Sequence, residues 1–329
     1  MNLVTLTMNP AVDISTSVPR IMPVHKLRCS TEKRDPGGGG INVARVAARL
    51  GADVKALYPI GGPTGQLLRR LVDSERVLSL AIPVSGETRE DLAVLDESSG
   101  AQYRFVLPGP RLTEKEWQEC LDVVGSLRGE PGLIVASGSL PPGVPADFYG
   151  RLARCVKNMG ARLILDTSGE ALAAALEVGV YLVKPSLREL AELTHMPLED
   201  RRSQFEACSK LVQGARAEIV ALTLGDQGAL LVTRDGACHA QPLQVEGVSS
   251  VGAGDSFLGG MVSSLASGHS LKDAFRYGIA AGSAALLAHG TELCRAEDVR
   301  RLYPLVEITD FGAPLDLVHA QDAVAAVIP

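Results

Sequence analysis

The chain has 329 residues, 46% of them hydrophobic and 21% charged, which supports a substantial core and excludes bulk disorder. Net charge is −6 and no basic run exceeds the Glu32-Lys33-Arg34 neighbourhood. Nucleic acid is therefore a poor partner, and any anionic substrate must be held by local Arg, Lys and backbone N–H groups. The six cysteines form no C-x-x-C pair, which argues against structural zinc and a disulfide framework and fits reduced thiols in the cytoplasm.

The first residues have no basic start and no long apolar core, so they read as a strand, Leu3–Met8, and not as a leader peptide. No apolar stretch is long enough to span a membrane. Asp13–Arg34 is more polar and reads as part of a small sheet. Ile41–Leu50 is a helical pattern stopped by Gly51, and Val54–Pro59 is a strand. Thr88–Val106 alternates at period two, as in Gln102-Tyr-Arg-Phe-Val, and is the second half of the small sheet, a lid or dimer surface. Trp117, beside Glu114 and Glu116, anchors an amphipathic helix. Short aliphatic runs follow at Leu133–Ala136, Arg162–Asp166, Tyr181–Val183 and Glu218–Leu222. Helical stretches Pro145–Met159, Glu170–Gly179 and Leu187–Thr194 separate them. Ser256–Leu265 is a further helix, and Thr309–Pro329 reads as a peripheral tail. The rhythm predicts an α/β fold, three-layered and doubly wound on a mostly parallel sheet, with functional residues at the carboxyl ends of the strands. One domain is expected over residues 1–308, with the lid segments near 13–34 and 88–106 inserted and 309–329 outside it.

Val251-Gly252-Ala253-Gly254-Asp255-Ser256 is the most informative stretch. Its glycines let backbone approach a ligand, unpaired N–H groups at the helix start attract anions, and Asp255 can accept a proton. A phosphoryl-transfer site needs these parts. The plainer alternative makes Asp255 an ordinary helix N-cap. Pro36-Gly37-Gly38-Gly39-Gly40-Ile41-Asn42 likewise clears side chains from a helix start and leaves the Asn42 amide for a hydroxyl. It is not a dinucleotide fingerprint, because Asn42 replaces the third glycine and a charged run precedes it. Gly61-Gly62-Pro63-Thr64-Gly65 lacks the Lys-Ser/Thr of a Walker A loop. His25, His195, His239, His269 and His319 show no metal-like spacing, and most are expected on exposed loops and helices.

The two glycine motifs, in this order and at this separation, resemble those of the ribokinase-like (PfkB-type) carbohydrate kinases, over about Leu3 to Tyr303. Further resemblance lies in Thr5–Asp13, Lys26–Cys29, Pro36–Arg45, Gln102–Val106 and Ser137–Gly143, which look like the minor bacterial 6-phosphofructokinase branch. The family's 1-phosphofructokinases and tagatose-6-phosphate kinases usually carry G-G-K-G where this chain has four glycines. The resemblance implies a single ribokinase-like domain. It implies transfer of the γ-phosphoryl group of MgATP to the C1 hydroxyl of fructose 6-phosphate, a glycolytic reaction. Tagatose-6-phosphate kinase or 1-phosphofructokinase activity, or a non-catalytic sensor on the same scaffold, are the alternatives.

Carried over by position, Asp255 is the general base, with the Gly252, Ala253 and Gly254 amides around the moving phosphoryl group. Asp13, Gly38, Gly39, Asn42, Ser137 and Ser139 bind the sugar. Arg89 and Arg104 are expected to pair its phosphate, and Lys26 and Arg28 to reach a neighbouring subunit's site in a homodimer formed through the lid. Lys184, Ser186, Glu189, Thr223, Gly225, Gly228 and Ser250 are expected on the nucleotide side. Ser186 departs from the family's K-P-N-x-x-E pattern, whereas Glu189 keeps it and is expected to act on Mg²⁺ indirectly. Backbone carbonyls of Ser249, Val251, Ala285 and Gly290 are expected around a monovalent cation such as K⁺. Glu292 departs from the family pattern there.

Overall fold

The structure is a computed structural model and describes residues 2–127, 131–245, 247, 251–288 and 291–311. Among these residues the main sheet has ten strands in the order β14-β13-β12-β11-β10-β9-β8-β1-β4-β5. Seven are parallel: β1 (Asn2–Leu6), β4 (Val54–Ile60), β5 (Leu78–Pro83), β8 (Pro131–Ser137), β9 (Arg162–Asp166), β10 (Val180–Val183) and β11 (Ala217–Thr223). The antiparallel β12 (Ala229–Thr233), β13 (Ala237–Ala240) and β14 (Ile308–Phe311) extend one edge.

The central strands are aliphatic on both faces because both faces are covered. In β8, Leu133 and Val135 enter one core while Ile134 and Ala136 enter the other. The first core lies under α1 (Gly39–Arg49), α2 (Gly62–Ser74), α8 (Ala253–Ala266), α9 (Leu271–Leu286) and α10 (Ala296–Leu302). The second lies under α3 (Glu114–Gly125), α4 (Phe148–Asn158), α5 (Gly169–Val178), α6 (Leu187–Thr194) and α7 (Arg201–Gln213). This is the three-layer arrangement expected from the alternating pattern. Trp117 is buried in α3 and meets Phe148 edge-to-face at 6.2 Å, as its helix pattern implied.

A separate four-stranded sheet has the order β3-β2-β6-β7, from β3 (Lys33–Gly37), β2 (Ala11–Val18), β6 (Arg89–Asp96) and β7 (Gln102–Phe105). It arises from the two polar, period-two segments. Asp13 stands opposite Asp35 and Asp91, and Ala93 stands opposite Arg104, so Asp13, Asp91 and Arg104 share one face. The other face leaves Leu92, Tyr103 and Phe105 exposed.

Two expectations need correction, and one histidine departs from the exposure expected of most. Thr309–Phe311 is not peripheral: it pairs with β13 from Ala237 to Cys238 and on to His239, because an edge strand offers unpaired backbone to any extended segment. Residues 312–329 lie outside the described residues. His239 is buried, with Nε2 2.9 Å from the Gln227 carbonyl, since β13 is an inner strand once β14 has added. Finally, α8 begins at Ala253, three residues before the expected start.

Candidate active site

The early start of α8 removes the N-cap reading of Asp255. Gly252 is the N-cap, at φ 73°, a left-handed conformation that a side chain would strain. No side chain caps this helix, and Asp255 sits inside its first turn. The first intrahelical bond here runs from Ser256 N–H to the Gly252 carbonyl, so the N–H groups of Ala253, Gly254 and Asp255 have no partner within the helix. They form a donor cluster at the positive end of a helix dipole.

Asp255 is partly exposed but loses enough water to raise its pKa to about 6. Burial is the main cause, and the Asp166 carboxylate adds to it. A hydrogen bond from Asn42 Nδ2, at 2.9 Å to Oδ2, and the charges of Lys184 and Arg104 work the other way. Asn42 reaches Asp255 because α1 packs along α8. That approach needs small residues: a Cβ on Gly259 of α8 would stand 2.5 Å from Val46 Cβ of α1.

The strand ends supply the remaining groups, as expected for a doubly wound sheet. Asp166 ends β9 and Lys184 follows β10; their charges meet at 3.0 Å, and Ser137 Oγ at the end of β8 donates to Asp166 at 3.2 Å. Burial pushes the Asp166 carboxyl up. Burial alone would push the Lys184 amine down, but Asp166, then Asp255 and Glu189, hold it charged above its ordinary range. The amine lies against the turn that starts α8, where a Cβ on Gly254 would stand 3.6 Å from Nζ. Asp166 was not among the sequence candidates. Its only sequence signal was an Asp closing a predicted strand.

The glycine run packs tightly beside these groups. Gly38 is the N-cap of α1 at φ 105°, and a Cβ on Gly39 would collide with Ser137 Oγ. Asp13 lies beneath Gly37, and its carboxyl is raised to about 7 by burial and by Asp91, against Arg104, Arg45 and Arg89. Ser139 accepts a hydrogen bond from Asn9 Nδ2 at 3.2 Å, on the wall of a cleft of about 610 Å³ that Arg89 also lines. Asn9 is a second group that the sequence reading passed over; its Oδ1 is buried without a hydrogen-bond partner.

Arg89 is largely engaged: it donates to the carbonyls of Leu107 and Asn9 at 2.6 and 3.0 Å and pairs with Asp91 at 3.2 Å. Arg104 is exposed on β7 and is felt by both Asp13 and Asp255. Lys26 and Arg28 are not brought to this cleft. They stand on the exposed connection between β2 and β3, with no ion pair among the described residues.

On the other side of α8, a cleft of about 760 Å³ runs between Ser186, Thr223, Gly225, Gly228 and Gly254, with Leu243, Val245 and Ile279 among its apolar walls. Ser186 and Glu189 form a reciprocal capping box on α6, with Ser186 N–H donating to Glu189 at 2.8 Å. The hydroxyl that replaces asparagine here therefore has a helix-capping duty. Of the positions expected around a monovalent cation, Ser249 and Gly290 lie outside the described residues, as does Ser250. The Ala285 carbonyl accepts from Ala288 N–H at 3.1 Å. Glu292 pairs with Lys33 of the lid strand at 2.6 Å.

Known proteins share this fold. ATP-dependent 6-phosphofructokinase isozyme 2 of Mycobacterium tuberculosis is 45% identical over 311 residues, covering 94% of this chain and 91% of that protein. Phosphofructokinase-2 of Escherichia coli, solved in complex with potassium, superposes with a TM-score of 0.89 at 41% identity, covering 92% of this chain and 98% of that one. The same protein in complex with fructose-6-phosphate gives 0.88 at 40% identity and the same coverage. A family model described as pfkB family carbohydrate kinase matches residues 4–298, and this chain belongs to that family of carbohydrate kinases.

Proposed function

We propose that this chain is an ATP-dependent 6-phosphofructokinase, which moves the γ-phosphoryl group of ATP to the C1 hydroxyl of fructose 6-phosphate. The observation that carries the reading is Asp255, a carboxylate free of capping duty and beside three N–H groups without a partner in their helix. Its raised pKa suits a base working near neutrality. In the transfer, the C1 oxygen forms a bond to phosphorus while the bond to the β-phosphate oxygen breaks. The hydroxyl proton passes to Asp255. Donors from the Gly252–Gly254 turn and the Lys184 amine take the charge on the moving group; losing one such donor costs about 10²–10³ in rate.

Asp13, Asn42, Ser137, Ser139 and the Gly38–Gly39 backbone would hold the sugar hydroxyls, with Arg104 and Arg89 on the 6-phosphate. The apolar-walled cleft bounded by Thr223, Gly225 and Gly228 fits the nucleoside of ATP. Mg²⁺ would enter with ATP, to neutralise its phosphates. Among the described residues no three carboxylate, His or Cys side chains gather around a metal position, so the chain fits a metal carried by the nucleotide. Glu189 would act on it through water. A monovalent cation next to Val251 and Ala285 belongs to the same reading, supported by the potassium complex of the E. coli relative.

The apolar face of the lid sheet, with Leu92, Tyr103 and Phe105 exposed, suits a second copy of the chain. That assembly would carry Lys26 and Arg28 towards the neighbour's sugar phosphate. No helix among the described residues is long and apolar enough to cross a membrane.

The deciding experiment is ADP release from MgATP with fructose 6-phosphate, tagatose 6-phosphate, fructose 1-phosphate and fructose as acceptors. The highest kcat/KM is expected for fructose 6-phosphate. Preference for another phosphosugar would overturn the acceptor. Binding without any turnover would overturn catalysis and favour a sensor.

A further inference from the structure

Behind Asn42 lies a cation that no step above uses. Arg45 is 1% exposed, the largest fully buried side chain in the described structure. It stands three residues after Asn42 on α1, so both side chains share one helix face. Its guanidinium donates to Oε1 of Glu75, the residue that caps the end of α2, at 2.9 and 2.7 Å and to the Pro36 carbonyl of β3 at 2.8 Å. Its remaining contact, from Nη1, reaches Asn42 Oδ1 at 3.3 Å. Asp35 lies 3.8 Å away.

A guanidinium only donates. Facing it, Asn42 must present its oxygen, and the NH₂ group is thereby turned to Asp255. A flipped amide would set NH₂ against guanidinium on one side and oxygen against carboxylate on the other. The same guanidinium ties the amide to Pro36, at the root of the lid strand that delivers the glycine run. Glu75, gripped also by Arg49 at 2.7 Å, fixes the guanidinium in turn.

We propose that Arg45 is a positioning residue for phosphoryl transfer, holding Asn42 in the one orientation that donates to Asp255. The inference rests on Asp255 being the base. Groups facing that carboxylate are Asp166 from β9, Lys184 after β10, Arg104 from β7 and Asn42 from α1. Of these, Asn42 is in contact with Arg45.

A double-mutant cycle tests it. At a pH on the activity plateau, Arg45→Met is expected to lower kcat about 10- to 100-fold, the scale of a misplaced group at a reacting centre. The KM for ATP should hardly move. In an Asn42→Ala background the same substitution should cost less than about threefold, since Arg45 then has no amide to orient. The acid limb of the kcat profile should move up by about one unit in Arg45→Met, because the carboxylate loses a fixed donor. Arg45→Lys should recover part of the loss, as one ammonium cannot serve Glu75, Pro36 and Asn42 together. Glu75 keeps Arg49 in these variants; should Arg45→Met not fold, the cycle is run with Arg45→Lys.

Multiplicative losses with an unmoved acid limb would overturn the proposal and leave Arg45 a scaffold residue. Failure of the base assignment looks different: wild type would lack an acid limb near pH 6 and Asp255→Asn would stay active, while coupling between Asn42 and Arg45 would still be read from kcat.

Discussion

Two clefts of nearly equal size open at opposite ends of the main sheet. One, of about 760 Å³, lies at the carboxyl ends of the strands against the start of α8. The other, of about 750 Å³, lies at the amino ends of β9, β10 and β11. Both carry charged side chains; Lys157, Arg162 and Arg234 line the second. The difference is in the direction of the backbone. At the upper cleft α8 arrives with its N–H groups forward, and α6 begins just after its cap, Ser186. At the lower cleft α4 and α5 end, near Gly160 and Gly179, with carbonyls forward. A strand-helix-strand unit fixes that polarity for α4 and α5, and where α9 does start at the lower cleft, at Leu271, the Ser270 side chain already caps it. One of the lower cations is also occupied locally: Arg162 stacks over Tyr181 at 4.8 Å. Size and charge alone do not mark a site; the orientation of helix ends does.

The sharpest way to break this comparison is to neutralise the base. Asp255→Asn is expected to cut kcat by about 10²–10⁴ while both substrates still bind, measured by coupled assay and calorimetry. Near-normal turnover would remove the upper cleft's claim to the chemistry. The second test is pH. As the proposed base Asp255 would work ionised, and its carboxyl is raised to about 6, so activity should be full above that pH and fall about tenfold per unit below it. A profile flat to pH 5 would contradict the assignment. Third, Arg104→Ala should raise the KM for a phosphorylated acceptor about tenfold, in line with the loss of one charge-assisted contact, without the same effect on fructose. Equal effects on both sugars would separate Arg104 from the phosphate. Smallest, Arg234→Glu in the lower cleft should change kcat and KM by less than about twofold. A larger effect would show that the lower cleft takes part in turnover.

Much of the site was legible because its parts are local. Glycines preceding a helical pattern marked both turns, and period-two alternation separated the lid strands from the main sheet. The groups that were missed are those whose meaning depends on a neighbour remote in sequence. Asp166 matters because β9 and β10 are adjacent in the sheet, which brings Lys184 to it. Arg45 matters because α2 returns Glu75 to the back of α1. Asn9 meets Ser139 across 130 residues. In Thr309–Phe311 the local pattern was too short to reveal a strand; the open edge of β13 made it one.

The sequence by itself determined the layer order, the two glycine turns and the identity of the carboxylate beside them, since backbone conformation and hydrophobic period act over a few residues. Tertiary structure alone decided the protonation behaviour of that carboxylate. Burial, a second carboxylate and an oriented amide set its affinity for a proton, and those come from β9 and α1, brought to α8 only when the chain folds.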